Sequence, residues 1–496
     1  MLKMAPNLDS CAPKDRKQIE TPIRSHPIRT ALFAICIATL VASGCKVGPH
    51  YVRPAVDQPA SFKSEHSDVA APLIAPEWWR LYNDSELNQL IASAHASNQT
   101  LRQSVASVDQ ARALARVARS FLYPSISFNP VMTRERLSGT RASTITGGPV
   151  QTATINDWLI PVDLVYEIDA WGSIRRSLES ATAQAAATDD NLAIVRLTVE
   201  TDVAQFYYSL RSLDAQTEIL TQTVASYREQ VRLVSAQLRS GLISPIVLAQ
   251  AQAQLEMTVA RQEDLVRSRA DQEHALAILC GQAAPSFSVS QNPMYEASPP
   301  VVPPGLPAQL LTRRPDVAAA ERNVAAANAQ IGVATAAFYP TFNLATFAGY
   351  QSKNLSNLLN WQSATAAAIT SIVAPIFQGG RLKANLEAAK AIHRQTVAAY
   401  VNQVLVAYGD VEDALTDLHA FSDEIVSLRA AVKASQDYLH FAQVQYRYGL
   451  VDYLVVVIAE QTLLTNQLAL AQAVYLNVGA SIRLIKALGG GWENHP

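Results

Sequence analysis

Two long stretches of the 496-residue chain carry apolar side chains at alternating steps of three and four positions. A period near 3.5 is typical of helices that pack side by side as coiled coils. No proline lies between Gly172 and Gly241 or between Gly380 and Gly449. Each segment therefore predicts one unbroken helix, about 100 Å long at 1.5 Å per residue. No compact globule holds such a rod.

Each predicted rod ends at a glycine, the residue that helix C-termini prefer. A helical pattern resumes a few residues later, over 247–279 and 454–488. We therefore expect two helical hairpins, with tips at Gly241-Leu242 and Gly449-Leu450. The many alanines on the remaining faces permit close lateral packing. A dimeric coiled-coil scaffold is the alternative for this part of the pattern.

The two hairpins belong to a tandem repeat. At an offset of 208 residues, Arg239-Ser240-Gly241-Leu242 matches Arg447-Tyr448-Gly449-Leu450. At an offset of 216, Tyr123-Pro124 matches Tyr339-Pro340, so the first copy carries a longer insertion between these landmarks. A proline-rich run between residues 299 and 307 cannot be helical and predicts an extended crossover between the copies.

A different period follows each Tyr-Pro pair. In the first copy, apolar residues from Trp158 to Ile168 alternate with positions that include the carboxylates Asp157, Asp163, Glu167 and Asp169. The second copy has a corresponding alternation from Phe342 to Tyr350 and a return strand from about Thr365 to Phe377. Such segments, separated by polar turns, are a weak signal of outer-membrane barrel strands. A half-buried hairpin in a soluble protein also fits the alternation.

The strand count limits the possible assemblies. Four strands cannot close a barrel in lipid, where open edges leave backbone groups without hydrogen bonds. Two chains would supply eight strands, and side chains fill the interior of an eight-stranded barrel. Three chains would supply twelve strands and a water-filled lumen. The carboxylates named above are then expected to line a wet, cation-friendly lumen, or in part the barrel rim.

The N-terminus has the pattern of an export signal. A basic lead from Lys14 to Arg29 precedes about 14 apolar residues from Ala31 to Gly44. The end of this stretch, Leu40-Val41-Ala42-Ser43-Gly44-Cys45, resembles the bacterial lipobox. Cys45 is therefore the expected lipid-attachment residue, carrying covalent S-diacylglycerol and N-palmitoyl groups. A secreted protein with an incidental cysteine is the alternative. An acyl anchor attaches a chain to a membrane without crossing it.

Charge and motif content exclude several functions. A formal net charge of −2 gives no general basic field for nucleic acid. No apolar run after the first fifty residues reaches the roughly 18 residues of a spanning helix. The nine histidines show no helical zinc pairing, and no phosphate loop or nucleophile elbow is present. We therefore expect no enzyme activity, no catalytic site, no metal site and no further cofactor.

Several short motifs, in order, resemble the TolC-like outer-membrane factors of tripartite efflux systems, and within them the lipid-anchored NodT-type branch. The resemblance covers nearly the whole mature chain. It rests on the two Tyr-Pro junctions, both Gly-Leu tips and four further strings: residues 45–54 (CKVGPHYVRP), 78–82 (WWRLY), 313–317 (RRPDV) and 374–380 (APIFQGG).

The resemblance implies a mainly α protein with a membrane β part. Three copies would form a periplasmic α-barrel and a shared 12-stranded β-barrel in the outer membrane of a bacterium. The implied function is the passive exit duct for drugs or other small toxic compounds. An inner-membrane resistance-nodulation-division pump would deliver these through a periplasmic adaptor, the membrane fusion protein. Polypeptide secretion, as in some relatives, and a pore-less lipoprotein scaffold remain alternatives.

The resemblance also assigns roles to residues. The tips at Gly241, Leu242, Gly449 and Leu450 would meet the adaptor, or act only as helix caps. The charges that the family often places beyond the tips are largely missing in the segment from Leu454 to Gln461. We therefore predict an apolar constriction at Leu454 and Ile458, joined by Val247. Buried packing between helices is the other role open to these residues.

These landmarks divide the chain into nine segments. They are a signal peptide (1–44), an anchored segment with the first-repeat helices (45–120), the first membrane hairpin (121–171), the first periplasmic hairpin (172–290), the crossover (291–312), a short second-repeat helix (313–338), the second membrane hairpin (339–379), the second periplasmic hairpin (380–488) and a tail (489–496).

Overall fold

A computed structural model gives the fold of the chain. It describes residues 46–64, 74–139, 153–293 and 299–492, except 301, 304 and 306. The predicted signal peptide, Cys45 and most of the first strand-to-strand loop lie outside the described residues.

The first repeat consists of helices and a strand pair in the predicted order. After a 3-10 turn at Trp78–Tyr82 come α1 (Ser85–Ser97) and α2 (Gln99–Ser120). The strands β1 (Ser125–Phe128), β2 (Val131–Leu137) and β3 (Ala153–Ile168) follow. The long helix α3 (Ser173–Arg239) and its return helix α4 (Pro245–Leu279) complete the unit.

The second repeat has the same plan. A short helix α5 (Pro307–Arg313) leads into α6 (Pro315–Ala336), which is followed by β4 (Thr341–Ser352) and β5 (Ala364–Val373). The long helix α7 (Arg381–Arg447) and the return helix α8 (Tyr453–Ala487) end the chain. Both long helices have 67 residues and both return helices have 35, so the helical repeat is confirmed.

The strands form one antiparallel sheet in the order β1-β3-β4-β5, and β2 also pairs with β3. The structure thus shows five strands where four were expected. Phe128 pairs with Val162 and Val131 with Leu159, so β1 and β2 keep one continuous register. The break lies at Asn129-Pro130, opposite Pro161, and neither proline has an N–H for the ladder. The two pieces are one interrupted strand of a four-stranded ribbon.

The last strand is shorter than the sequence pattern indicated. It ends at Val373 rather than near Phe377. Pro375 follows two residues later and, lacking an N–H, cannot continue the ladder. Ile376 and Phe377 are consequently almost fully exposed in the single chain.

The helices pack through two large apolar clusters. One joins Trp78, Leu87, Tyr207, Leu276 and Ile482, and the other surrounds Tyr400, Val404, Val411 and Leu484 with residues of α5 and α6. By length and composition α8 could span a membrane, which the sequence expectation did not foresee. Its last buried turns, with Ile482 and Leu484, pack within these two clusters, and the helix lies against α3 and α7.

Candidate channel surfaces and helix tips

The two hairpin tips have the same backbone geometry. In the first, Gly241 N–H donates to the Leu238 carbonyl at 3.0 Å, and Leu242 N–H donates to the Gln237 carbonyl at 3.0 Å. In the second, Gly449 and Leu450 repeat the pattern at 2.9 Å each. This is the Schellman motif, which needs a left-handed residue after the helix. Both glycines supply it, with φ of 72°.

The leucine of each tip is unusual for this motif. The residue after the left-handed glycine commonly packs back on the last turn of the helix. Here Leu242 is 74% exposed and Leu450 is 72% exposed. Ile246 and Tyr448 beside them are similarly exposed. The apolar side chains of the tips therefore point away from the rest of the chain. The backbone N–H groups of the glycine and leucine in each tip already form hydrogen bonds within the chain.

Above the tips, the two hairpins pack against each other. Val234 of α3 and Ala251 of α4 share a buried apolar cluster with Tyr453, Val456 and Val457 of α8. Leu454 and Ile458 lie on the opposite face of α8, where both are about half exposed. Val247 is partly buried against the cluster. Of the three residues predicted to form the constriction, Leu454 and Ile458 project from the packed hairpins of a single chain and Val247 does not. The constriction therefore stays a prediction.

The sheet has one largely apolar face and one more polar face, which also carries Phe347 opposite Asp163. Cross-strand neighbours of Trp158, Ile160 and Val162 are themselves largely apolar or small, as in the pairs with Tyr350 and Ala348. The face that carries Asp157, Asp163 and Glu167 adds polar partners from the other strands, which are Ser127, Thr133, Asn343 and Gln351. Gln351 Nε2 donates to Asp157 Oδ2 at 2.8 Å and Asn129 Nδ2 donates to Asp163 Oδ2 at 3.3 Å. An apolar outside and a wet inside are what a barrel wall requires.

Asp169 caps the start of α3. It follows the last residue of β3, and its carboxylate accepts hydrogen bonds from Ile174 N–H at 3.1 Å and Arg175 N–H at 2.9 Å. It also pairs with Arg175 Nε at 3.1 Å. Gly172 at the cap position of α3 has no side chain to satisfy these amides, so Asp169 does so instead. It lies at the strand-to-helix junction, in accord with the barrel-rim alternative, and its lumen role stays a prediction.

The residues after Cys45 form an extended strap, which we define as residues 46–64. Val47 N–H donates to the Trp171 carbonyl at 3.1 Å. The fully buried Arg176 donates to the carbonyls of Val47, Gly48 and Pro49 at 2.9–3.2 Å. Lys46 pairs with Glu179. The strap is therefore fixed where β3 ends and α3 begins.

Further along, the strap follows α6 and α7. Arg53 forms an ion pair with Glu321 at 2.9 Å and donates from Nε to Tyr400 Oη at 3.3 Å. Ser64 N–H and Oγ contact Glu412.

At the strand-to-helix junction Trp171 stacks on Tyr339 with ring centres 4.7 Å apart, and Trp171 Nε1 donates to the Pro340 carbonyl at 2.8 Å. Paired aromatic rings at a strand end are typical of a membrane interface.

Comparison with known proteins decides the family. The family model described as outer membrane efflux protein matches residues 90–282 and 306–490, one match in each repeat. The chain belongs to the outer membrane efflux protein family. The resemblance found in the sequence, and the outer-membrane location that it implied, are thereby confirmed.

Individual family members match the chain along almost its whole length. The toluene efflux pump outer membrane protein TtgF of Pseudomonas putida is 31% identical over 481 residues, covering 94% of this chain and 98% of that protein. The cation efflux system protein CusC of Escherichia coli is 30% identical over 472 residues, covering 93% and 99%. The outer-membrane channel OprN superposes with a TM-score of 0.84 at 28% identity, over 90% of this chain and all of that one.

The family is one of outer-membrane efflux channels, which is not an enzyme class. Within the described residues no group of three or more His, Cys, Asp or Glu side chains is placed to hold a metal ion. The candidate functional surfaces of this family member are its sheet faces, its tips and its strap. The strap contacts were missed from the sequence because they join residues far apart in the chain, and the cap at Asp169 was missed because its carboxylate fits the alternating strand pattern.

Proposed function

We propose that three copies of this chain form the exit duct of a tripartite efflux pump, through which small toxic compounds leave the cell passively. The observation that carries the proposal is the open, two-faced ribbon of four strands. Its outer strands are β5 on one side and the interrupted β1–β2 strand on the other. In lipid each unpaired edge costs several kcal/mol per unsatisfied backbone group. Pairing β5 of one copy with β1–β2 of the next satisfies both edges.

The helical repeat supports the same closure. Inside one chain, α3 packs along α6, with Arg322 Nε 3.2 Å from Asp190 and Gln330 Nε2 2.9 Å from Ser180 Oγ. The repeat offsets place α7 where α3 lies and α2 where α6 lies. In the described part of the chain α7 makes no comparable contact with α2. The α2 helix of the next copy fits this open side, and it presents the exposed Leu114 there.

The tips supply the docking surface for a periplasmic adaptor. Exposed Leu242 and Leu450 bury apolar area only when a partner covers them. The adaptor in turn would connect the duct to an inner-membrane pump of the resistance-nodulation-division type. The pump selects cargo upstream of the duct, so the lumen needs only to be wide and wet.

The strap supports lipid attachment at Cys45. Lys46, the next residue, is held at the strand-to-helix junction, which is the level where a membrane barrel meets the periplasm. Acyl chains on Cys45 would enter the adjacent bilayer surface from this point. Mass spectrometry of the mature N-terminus tests this: a diacylglyceryl and palmitoyl adduct is expected on Cys45, and an unmodified cysteine would contradict it.

Reconstitution tests the duct. Purified protein in a planar bilayer is expected to conduct ions with a preference for cations, because Asp157, Asp163 and Glu167 share the polar sheet face. Absence of conductance would favour the pore-less scaffold, and export of a polypeptide in cells would favour the secretion channel.

Cross-linking tests the contact between copies. The repeat offsets place Leu114 of one copy opposite Ala388 of the next, so a variant with Leu114→Cys and Ala388→Cys is expected to form a cross-linked trimer on oxidation. Each single variant is the control and should stay uncross-linked.

A further inference from the structure

Polar side chains join the two hairpins of one chain near the tips. Tyr453 Oη donates to Gln230 Oε1 at 3.0 Å, and Gln230 Nε2 donates to the carboxylate of Glu460. Two further contacts are Tyr446 Oη to Gln237 Oε1 at 3.3 Å and Gln461 Nε2 to Gln254 Oε1 at 2.7 Å. Each contact connects the first hairpin to the second. None of these four contacts is an ion pair between opposite charges.

Glu460 is the exceptional member of this group. Its side chain lies between α8 and α3, and the residue is only 6% exposed. Oε1 accepts from Gln230, whereas the buried Oε2 has no hydrogen-bond partner among the described residues. A buried charge without a cation is strongly disfavoured, because neither water nor an opposite charge stabilises it.

The groups around Glu460 offer no such cation. Tyr227 faces it from α3 and Tyr453 from α8, and the neutral Gln443 approaches it from α7. Among the residues that the structure places, no Lys, Arg or His lies within ion-pair distance of it. Burial raises the pKa of Glu460 to about 7, although the side-chain amides of Gln230 and Gln443 lower it in part. Burial also raises the pKa of Tyr227 to about 12, so both tyrosines stay neutral.

We propose that Glu460 is a positioning residue of the periplasmic entrance, which holds α8 against α3 as a neutral acid and releases α8 when it ionises. This inference rests on the proposed duct. Leu454 and Ile458 occupy the other face of the same turns of α8. A movement of α8 away from α3 therefore carries the predicted constriction with it and changes the width of the entrance.

The direction of the pH effect follows from linkage. Packing of α8 against α3 raises the pKa of Glu460, so ionisation of this carboxyl destabilises the packed state relative to the released state. The stability that the neutral carboxyl gives to the packed state is complete below the ordinary carboxyl pKa and is lost as the pH rises toward about 7. If the released carboxyl returns to its ordinary pKa near 4.5, release becomes about 40-fold more favourable per subunit between pH 5 and pH 7. Above about pH 8 the effect is constant.

Spin labels on Leu450→Cys in the assembled protein measure the distance between tips directly. Raising the pH from about 5 to about 8 is expected to lengthen this distance in the parent protein. Glu460→Gln, which stays neutral, is expected to abolish the change. Glu424→Gln, the same substitution at an exposed position of α7, is the matched control and should keep it. A pH response of Glu460→Gln equal to that of the control would overturn the proposal.

A second measurement does not depend on movement of the tips. Infrared difference spectra between the parent protein and Glu460→Gln should contain a protonated carboxyl band that disappears with a midpoint near pH 7. A midpoint near the ordinary value, with the tips packed, would contradict the assignment. Neither measurement requires conductance. A protein that fails to conduct but shows both responses would therefore refute the duct and leave the switch intact.

Discussion

The strap junction gives a quantitative prediction at Gly48. Gly48 has φ of 92°, and a Cβ added there would lie 2.5 Å from the Cα of Gly332 on α6. The obstacle is backbone, so no side-chain rotation relieves it. Gly48→Ala should therefore incur the strain of a left-handed residue, about 1–2 kcal/mol, together with overpacking of about 1–3 kcal/mol.

Amide hydrogen exchange at Val47 measures this loss, since its N–H is protected by the bond to the Trp171 carbonyl. A loss of about 2–5 kcal/mol in strap docking should accelerate exchange at least about 30-fold, at 1.4 kcal/mol per factor of ten. Gly409→Ala on α7 is the control, because a Cβ there meets nothing within 4 Å of the chain. Exchange of Val47 at the parent rate in Gly48→Ala would refute the argument that the strap needs this close approach.

Three further predictions concern the junction, the tips and the constriction. Asp169→Ala should destabilise the start of α3 by about 1 kcal/mol because it removes the cap, seen as a lower midpoint in denaturant, and an unchanged midpoint would contradict the cap. Leu242→Glu and Leu450→Glu should weaken adaptor binding at least about tenfold, measured by surface plasmon resonance, while circular dichroism stays unchanged; parent-like binding would remove the tips from the interface. Leu454→Ser and Ile458→Ser should raise single-channel conductance if an apolar ring restricts the entrance, and unchanged conductance would exclude that ring.

Much of the helical architecture could be predicted because it is encoded locally. The absence of proline between Gly172 and Gly241, together with the apolar period, predicted a helix that the structure places at Ser173–Arg239. The recurrence of Arg-x-Gly-Leu at both tips predicted equal hairpins. Helix and hairpin signals of this kind depend on neighbours within a few turns, so one sequence is enough to find them.

One detail that was missed is local, at Asp169, and the others depend on distant residues. Asp169 belongs to an alternating pattern of carboxylates, and only the bare Gly172 cap next to it explains why its side chain turns to the α3 amides. Arg176 is buried because the carbonyls of a strap some 130 positions earlier surround it. Glu460 stands within an apolar run, and its burial depends on Gln230 in the other repeat. Such contacts follow from how the repeats pack, which periodicity alone does not specify.

Electron microscopy of the purified protein in lipid nanodiscs tests whether three copies close into one duct. A threefold particle is expected, with twelve strands closed around a lumen that continues through the helical tube. A single chain, a dimer, or a trimer whose ribbons do not close on one another would contradict it.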